Sequence, residues 1–171
     1  MSLKIAPLDR SHRPLLADFR NTHPALADYL QRYALRHAEK DLLARTYVAI
    51  DSGSGAPRLA GYFSLATVSV ERDSLAPLPA LERLPRFPIP GILLARLAVD
   101  TRIRGQGLGR YLFEEALGLT LQLARSGPVA FRLFVTDAVD AEAASFYTHF
   151  GCVPLGDGFP RRMVLDLRPL L

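Results

Sequence analysis

The first apolar pattern, Leu3 to Leu8, alternates with a period of two, as a short strand does. From Pro24 onward the period changes. Leu26, Tyr29, Leu30, Tyr33 and Ala34 recur at three- and four-residue intervals, which predicts an amphipathic helix with Pro24 in its first turn, where a missing N–H costs nothing. A looser helix is expected before it, from Pro14 to Arg20. Thr46 to Asp51 and Arg58 to Val70 read as strands joined by the turn-forming run Ser52-Gly53-Ser54-Gly55-Ala56-Pro57.

Glu71 to Pro90 carries Pro77, Pro79, Pro85, Pro88 and Pro90, whose fixed φ angles and missing donors argue against any regular strand or helix. The segment reads as an insertion, a common form for binding loops. Ile92 to Val99 is apolar apart from Arg96, as in a strand covered on both faces. After Arg104-Gly105-Gln106-Gly107-Leu108-Gly109, the residues Leu108, Leu112, Ala116, Leu119 and Leu123 fall at helical spacing. Ala130 to Thr136 reads as another buried strand, and Asp140 as the N-cap of a helix from Ala141 to Phe150 that Gly151 ends. Arg162 to Leu167 is expected as a last strand with Met163, Leu165 and Leu167 on one side. The order β-α-α-β-β-loop-β-α-β-α-β-β predicts an α/β (α+β) fold, a mixed sheet with helices on its faces.

Composition narrows the picture. A chain of 171 residues has room for one domain, expected over residues 1–171. With 49% hydrophobic and 22% charged residues it belongs with globular chains, not disordered ones. The longest uncharged stretch, Ala143 to Gly156, has 14 residues where a membrane span needs about 20, and Met1 to Asp9 reaches charge before an apolar signal core can form. A cytoplasmic location without membrane attachment is the expectation. Cys152 is the single cysteine, and no zinc spacing joins it to His12, His23, His37 or His149, so no metal is expected. The net charge is +4, and all but Lys4 and Lys40 of the 21 basic residues are arginine. A planar guanidinium suits phosphate, although arginines spread along the whole chain equally reflect a GC-rich codon bias.

The chemistry concentrates at the glycine loop. A glycine-rich turn that opens a helix offers free N–H groups and the positive end of the helix dipole, which favours a phosphate. No Lys-Ser/Thr pair follows Gly109 as a nucleotide-hydrolysing loop requires, and Arg110 stands where a dinucleotide fingerprint needs its third glycine.

The remaining spacing, Arg104-x-x-Gly107-x-Gly109, resembles the pyrophosphate loop of the GNAT superfamily of acetyl-coenzyme A dependent N-acetyltransferases. Asp140-x-x-Ala143-x-x-Phe146-Tyr147-x-x-x-Gly151 resembles the second motif of that superfamily. Over Phe19 to Leu155 a narrower likeness runs through Ala25-Leu26-Ala27-Asp28-Tyr29-Leu30, Tyr47-Val48-Ala49, Gly61-Tyr62-Phe63-Ser64-Leu65, Pro88-Ile89-Pro90 and Leu94-Ala95-Arg96-Leu97-Ala98-Val99-Asp100. These segments are similar to the GNAT-type toxins of bacterial toxin–antitoxin pairs, which acetylate aminoacyl-tRNA. The chain departs from that family at Arg20-Asn21-Thr22, where Cys-Gly is frequent, and at Cys152, where Phe usually follows the glycine.

The resemblance implies roles, residue by residue. Arg104, Gly105, Gln106, Gly107, Leu108, Gly109 and Arg110 would hold the acetyl-CoA pyrophosphate, and unpaired backbone groups of Leu97, Ala98 and Val99 the pantetheine arm. Asp140 and Phe146 would contact the cofactor, and Tyr147 would protonate the departing thiolate as general acid. The strand Ile92 to Val99 offers no carboxylate base, and Arg96 would disfavour a protonated amine, so a low-pKa α-amine fits best. Arg83 and Arg86, with Arg72, Arg32 and Arg36, are expected around the acceptor mouth. Charged tRNA is one acceptor; a small-molecule amine or a protein N-terminus is the alternative, and a catalytically silent acyl-CoA-binding module is the reading of another class. An antitoxin protein and a second copy of the chain complete the expected partners.

Overall fold

The computed structural model describes every residue except Ser54, so that part of the predicted Ser52–Pro57 turn lies outside the described residues. The strands are β1 (Leu3–Pro7), β2 (Arg45–Asp51), β3 (Arg58–Val70), β4 (Ile89–Val99), β5 (Leu133–Ala138), β6 (Val153–Leu155) and β7 (Arg161–Asp166). The helices are α1 (Arg13–Leu16), α2 (Pro24–Arg32), α3 (Ala34–Glu39), α4 (Leu108–Ser126) and α5 (Ala141–His149). The sheet order is β1-β2-β3-β4-β5-β7-β6. β1–β2, β2–β3, β5–β7 and β6–β7 pair antiparallel, whereas β4 and β5 pair parallel, so the mixed sheet expected from the sequence is what forms.

By internal contacts the chain forms two compact units. The first comprises Met1–Ala66 and Ala95–Ala116. Its core gathers Leu16, Phe19, Tyr29, Leu30, Val48, Tyr62 and Ala98, which places the apolar stripe read at Pro24–Ala34 against sheet residues. That stripe belongs to two helices, because α2 ends at Arg32 and α3 begins at Ala34 after the cap residue Tyr33.

The second unit comprises Thr67–Leu94 and Leu117–Leu171. Its core joins Val70, Leu75, Leu78, Leu81 and Ile89 to Leu133, Val135 and Val164. The proline-rich insertion is therefore anchored by its leucines, with short 3-10 turns at Arg72–Leu75 and Pro79–Leu81 between the prolines. β4 starts at Ile89, inside the span read as irregular: Pro90 is exposed there, and its carbonyl still accepts from the Arg132 N–H at 2.9 Å. β5 begins three residues later than expected and runs on to Ala138. In β7 both Met163 and Val164 are fully buried, so the one-sided alternation read at Arg162–Leu167 gives way to a strand covered on both faces. The short β6 completes the two closing strands of the predicted order.

Candidate active site

The loop before α4 is shaped by its backbone. Gly105 has φ +82 and Gly107 φ +78, conformations that cost a side-chain-bearing residue about 1–2 kcal/mol. Gly109 is different: its φ is ordinary, and an added Cβ would meet only Val99 Cγ2 at 3.9 Å. Nothing within the chain demands glycine at 109, which leaves room for close approach from outside. The Tyr111 N–H donates to the Gly107 carbonyl, and the N–H groups of Gly105 to Gly109 donate to no group among the described residues. Arg104 is exposed beside them. A row of free donors at the start of a 19-residue helix with no acidic residue in its first turn fits a diphosphate. Arg110, by contrast, is paired with Glu114 at 2.8 Å.

What aims this loop is Asp100, a buried carboxylate that the sequence reading did not single out. It accepts from the Arg20 N–H at 3.1 Å, from the Arg102 N–H at 2.9 Å, and from Arg102 Nε and Nη2, both at 2.8 Å. Burial alone would push its carboxyl up, but these donors outweigh it and hold the group below the usual carboxylate range. Arg102 also reaches Asp18 at 2.9 Å. Each residue of Arg20-Asn21-Thr22 is tied here as well. The Arg20 carbonyl accepts from the Thr101 N–H, Asn21 Nδ2 donates to the Val99 carbonyl at 2.9 Å, and Thr22 Oγ1 accepts from Arg104 at 3.4 Å. The Val99 carbonyl, expected to be open for a pantetheine arm, is therefore engaged by Asn21. Next to these residues lies a cavity of about 580 Å³ lined by Phe19, Asn21, Ala27, Asp28 and Gln31, among others.

Arg96 is half-buried, its guanidinium 3.4 Å from the centre of the Tyr29 ring. This cation–π contact gives it a structural partner. Tyr29 stacks on Tyr62, whose hydroxyl donates to the Leu26 carbonyl at 2.6 Å, so Arg96 sits on an aromatic platform built from α2 and β3. Arg32 and Arg36 are spent on Asp28 at 2.8 Å and Asp41 at 2.9 Å. In the second unit Arg72 Nη2 donates to the Glu82 carbonyl, while Arg83 and Arg86 are exposed and have no ion pair among the described residues.

Tyr147, also in the second unit, is 8% exposed on α5. Burial pushes its phenol up, and a hydrogen bond with the Thr136 side chain works the other way. Phe146 packs edge-on against it with ring centres 5.3 Å apart. Asp140 accepts from the Ala143 N–H at 2.8 Å, as the expected N-cap. Cys152 is buried, its thiol pushed up to about 12 by desolvation. His149 is exposed on the same helix. The β4–β5 ladder extends from Gly91–Leu133 to Leu94–Thr136 and stops there, although both strands continue. Among the described residues no cluster of His, Cys, Asp or Glu could hold a metal, and no helix is long and apolar enough to cross a membrane.

A mixed sheet in which the parallel β4–β5 pair ends before its strands do, followed by a glycine loop at a helix start, defines a GNAT-type fold. No family model matches the chain. It is 36% identical over 151 residues to the tRNA-acetylating toxin of Mycobacterium tuberculosis, covering 88% of this chain and 85% of that one. Among solved structures, a KacT mutant superimposes with a TM-score of 0.88 at 22% identity, covering 99% of this chain and 98% of that one. AtaT complexed with acetyl-methionyl-tRNA superimposes with a TM-score of 0.86 at 22% identity, covering 99% and 97%. AtaTR bound with acetyl-CoA gives 0.78 at 22% identity, covering 98% and 95%. These solved structures share the fold. The chain belongs to the family of GNAT-type, tRNA-acetylating toxins.

Proposed function

We propose that this chain is an acetyl-CoA-dependent N-acetyltransferase that acetylates the α-amino group of aminoacyl-tRNA, acting in the cytoplasm as the toxin of a toxin–antitoxin pair. The observation that carries this reading is the 36% identity, over most of both chains, to a tRNA-acetylating toxin. The whole chain, residues 1–171, is proposed to act as one catalytic domain, with an antitoxin protein as its partner.

The free N–H groups from Gly105 to Gly109 are assigned to the diphosphate, with Arg104 and Gln106 flanking it and Leu108 and Arg110 opening the helix behind it. Backbone groups of Leu97 and Ala98, and the Val99 N–H, are assigned to the pantetheine arm, one N–H serving as oxyanion donor, a contribution worth about 3 kcal/mol in other enzymes. When bound, acetyl-CoA supplies an activated thioester. Tyr147 is the general acid for the thiol that leaves, and Phe146 and Asp140 shape the helix end that carries it. Arg96 favours an uncharged acceptor nitrogen. An α-amine with a pKa of about 7.7–8.0 is substantially neutral without a dedicated base, whereas a lysine amine near 10.4 is not.

Arg83 and Arg86, exposed and without an ion pair among the described residues, are assigned to acceptor phosphates. The test compares aminoacyl-tRNA with free amino-acid esters across a salt series, with Arg83→Glu and Arg86→Glu in parallel. The KM for charged tRNA is expected to rise with salt by about 0.7–0.9 log units per log unit of salt for each phosphate contact, less steeply in the variants, and the esters to show no slope. Equal activity on both acceptors, indifferent to salt and to charge reversal, would reject the tRNA assignment in favour of a small-molecule or peptide acceptor.

A further inference from the structure

β7 stays paired with β5 beyond Thr136, where the β4 ladder stops: Asp137 faces Arg162 and Ala138 faces Arg161. The loop of residues 156–160 therefore projects past the C-terminal end of β5. Phe159 on this loop is 45% exposed, and the Arg161 guanidinium lies 4.2 Å from the centre of its ring. Arg161 Nη2 donates to the Asp157 carbonyl at 2.5 Å, which fixes the guanidinium over the ring. Asp137 is engaged by Arg162 and Asp140 by the Ala143 N–H, so neither carboxylate takes Arg161. Val139, the first residue beyond the β5 ladder, is exposed as well. A Cβ at Gly158 would meet nothing within 4 Å, and its φ lies outside the left-handed region. Neither packing nor backbone geometry asks for glycine there, which leaves room for close approach from outside. One end of β5 thus presents a fixed, open aromatic ring beside an uncrowded backbone.

Tyr147 leans toward the same end. Its carbonyl accepts from the Cys152 N–H at 3.2 Å, and Val153 pairs with Val164, which pairs in turn with Val135. The Tyr147 main chain is therefore level with the middle of β5, whereas α5 begins three residues after Ala138. The helix runs back along the sheet, and helical side chains tilt toward the helix N-terminus, which carries the phenol toward the end of β5 where Phe159 stands. In a charged tRNA the amino acid is esterified to the ribose of the terminal adenosine, so only that ribose and the ester separate the base from the reacting amine. We propose that Phe159 is a specificity-determining residue: its ring stacks on the base of the acceptor's terminal adenosine, with Arg161 holding the ring in place. This rests on aminoacyl-tRNA as the acceptor and on Tyr147 as the general acid. A flat base is what a ring fixed by a guanidinium receives well, because stacking needs only a π-face and no particular hydrogen-bond pattern. A free amine or a peptide N-terminus brings no base and gains nothing from Phe159. The contact therefore separates acceptors by what lies beyond the ester.

The test compares three acceptors that carry the same amino acid, namely its methyl ester, its ester on free adenosine and its charged tRNA, in wild type, Phe159→Leu and Phe159→Tyr. Wild type is expected to show a KM for the adenosine ester roughly 5- to 100-fold below that for the methyl ester, the range that stacking on one base gives. Phe159→Leu should raise the KM for the adenosine ester and for charged tRNA by a similar factor. It should leave the methyl-ester KM and every kcat at saturation within about twofold, and Phe159→Tyr should restore the low KM. Unchanged turnover on the methyl ester reports, in the same variant, that the fold and Tyr147 are intact. Equal KM values for the two esters in wild type, or a KM for charged tRNA that Phe159→Leu does not move, would overturn the proposal while aminoacyl-tRNA stands as the acceptor. Slowing on all three acceptors alike would make Phe159 a support of the fold and overturn it too. Acetylation of the methyl ester with none of charged tRNA would instead remove the acceptor itself, and the role of Phe159 with it.

Discussion

The glycine loop and the surroundings of Tyr147 are suited to their proposed roles by opposite routes. At the loop the groups proposed to act are backbone N–H donors left open at a helix start, and side chains matter chiefly by being absent. Around Tyr147 the group proposed to act is a side-chain hydroxyl on a buried residue. An open backbone donor binds, because it gives up only water when it meets a charged ligand. A buried phenol makes a poor binding group, and burial keeps its proton in place until a base as strong as a departing thiolate arrives. The loop should therefore govern affinity and the tyrosine turnover, and substitutions can pull the two apart.

The largest separation is expected from Tyr147→Phe. Removing the proton donor while keeping the ring should lower kcat by about 10²–10⁴-fold and leave acetyl-CoA affinity unchanged, as steady-state rates and calorimetry would show. A fall of less than about threefold would hand the proton to water.

Asp100→Asn strikes the clamp beneath the loop and should cost about 2–3 kcal/mol of stability at pH 7, since charge-assisted bonds to Arg102 and the Arg20 N–H are lost. Because the folded carboxyl lies below its ordinary value, this stabilisation is complete above the unfolded pKa of about 3.9 and fades as the pH falls through the folded value. Urea unfolding of wild type and variant should therefore differ at pH 7 and converge in strong acid.

Gly109→Val sharpens the comparison from the loop side. With no positive φ and no close neighbour at this position, the variant should fold normally yet bind acetyl-CoA at least about tenfold more weakly, with Gly107→Val/Gly109→Val losing binding altogether. Unchanged calorimetric affinity in the double variant would remove the diphosphate from this loop. The smallest effect is expected for His149→Ala, an exposed position that should alter neither rate nor affinity by more than about twofold.

The loop was legible in the sequence because backbone geometry leaves a residue-level mark: positive φ at Gly105 and Gly107 selects glycine, and α4 announces itself by its leucine spacing. The Asp140 cap was legible for a similar local reason. Thr136 and Leu94 meet only because β4 and β5 pair in one particular parallel register, and nothing near either residue in the chain foretells that. The bonds from the Arg20 N–H to Asp100 and from Asn21 to the Val99 carbonyl were hidden in the same way, since each joins residues about 80 positions apart. The cluster of arginines expected at one mouth ignored their local carboxylates: Asp28 stands four residues before Arg32 and Asp41 five after Arg36, and each takes its arginine. At β7 the period-two pattern misled because burial on both faces erases alternation.

The most direct measurement incubates the purified protein with radiolabelled acetyl-CoA and aminoacyl-tRNA, then hydrolyses the ester linkage in mild alkali and identifies the labelled species released. The account predicts label in N-acetylated amino acid freed from tRNA, none when uncharged tRNA is supplied, and almost none with Tyr147→Phe. Label transferred to free small amines or protein N-termini but absent from charged tRNA would contradict it.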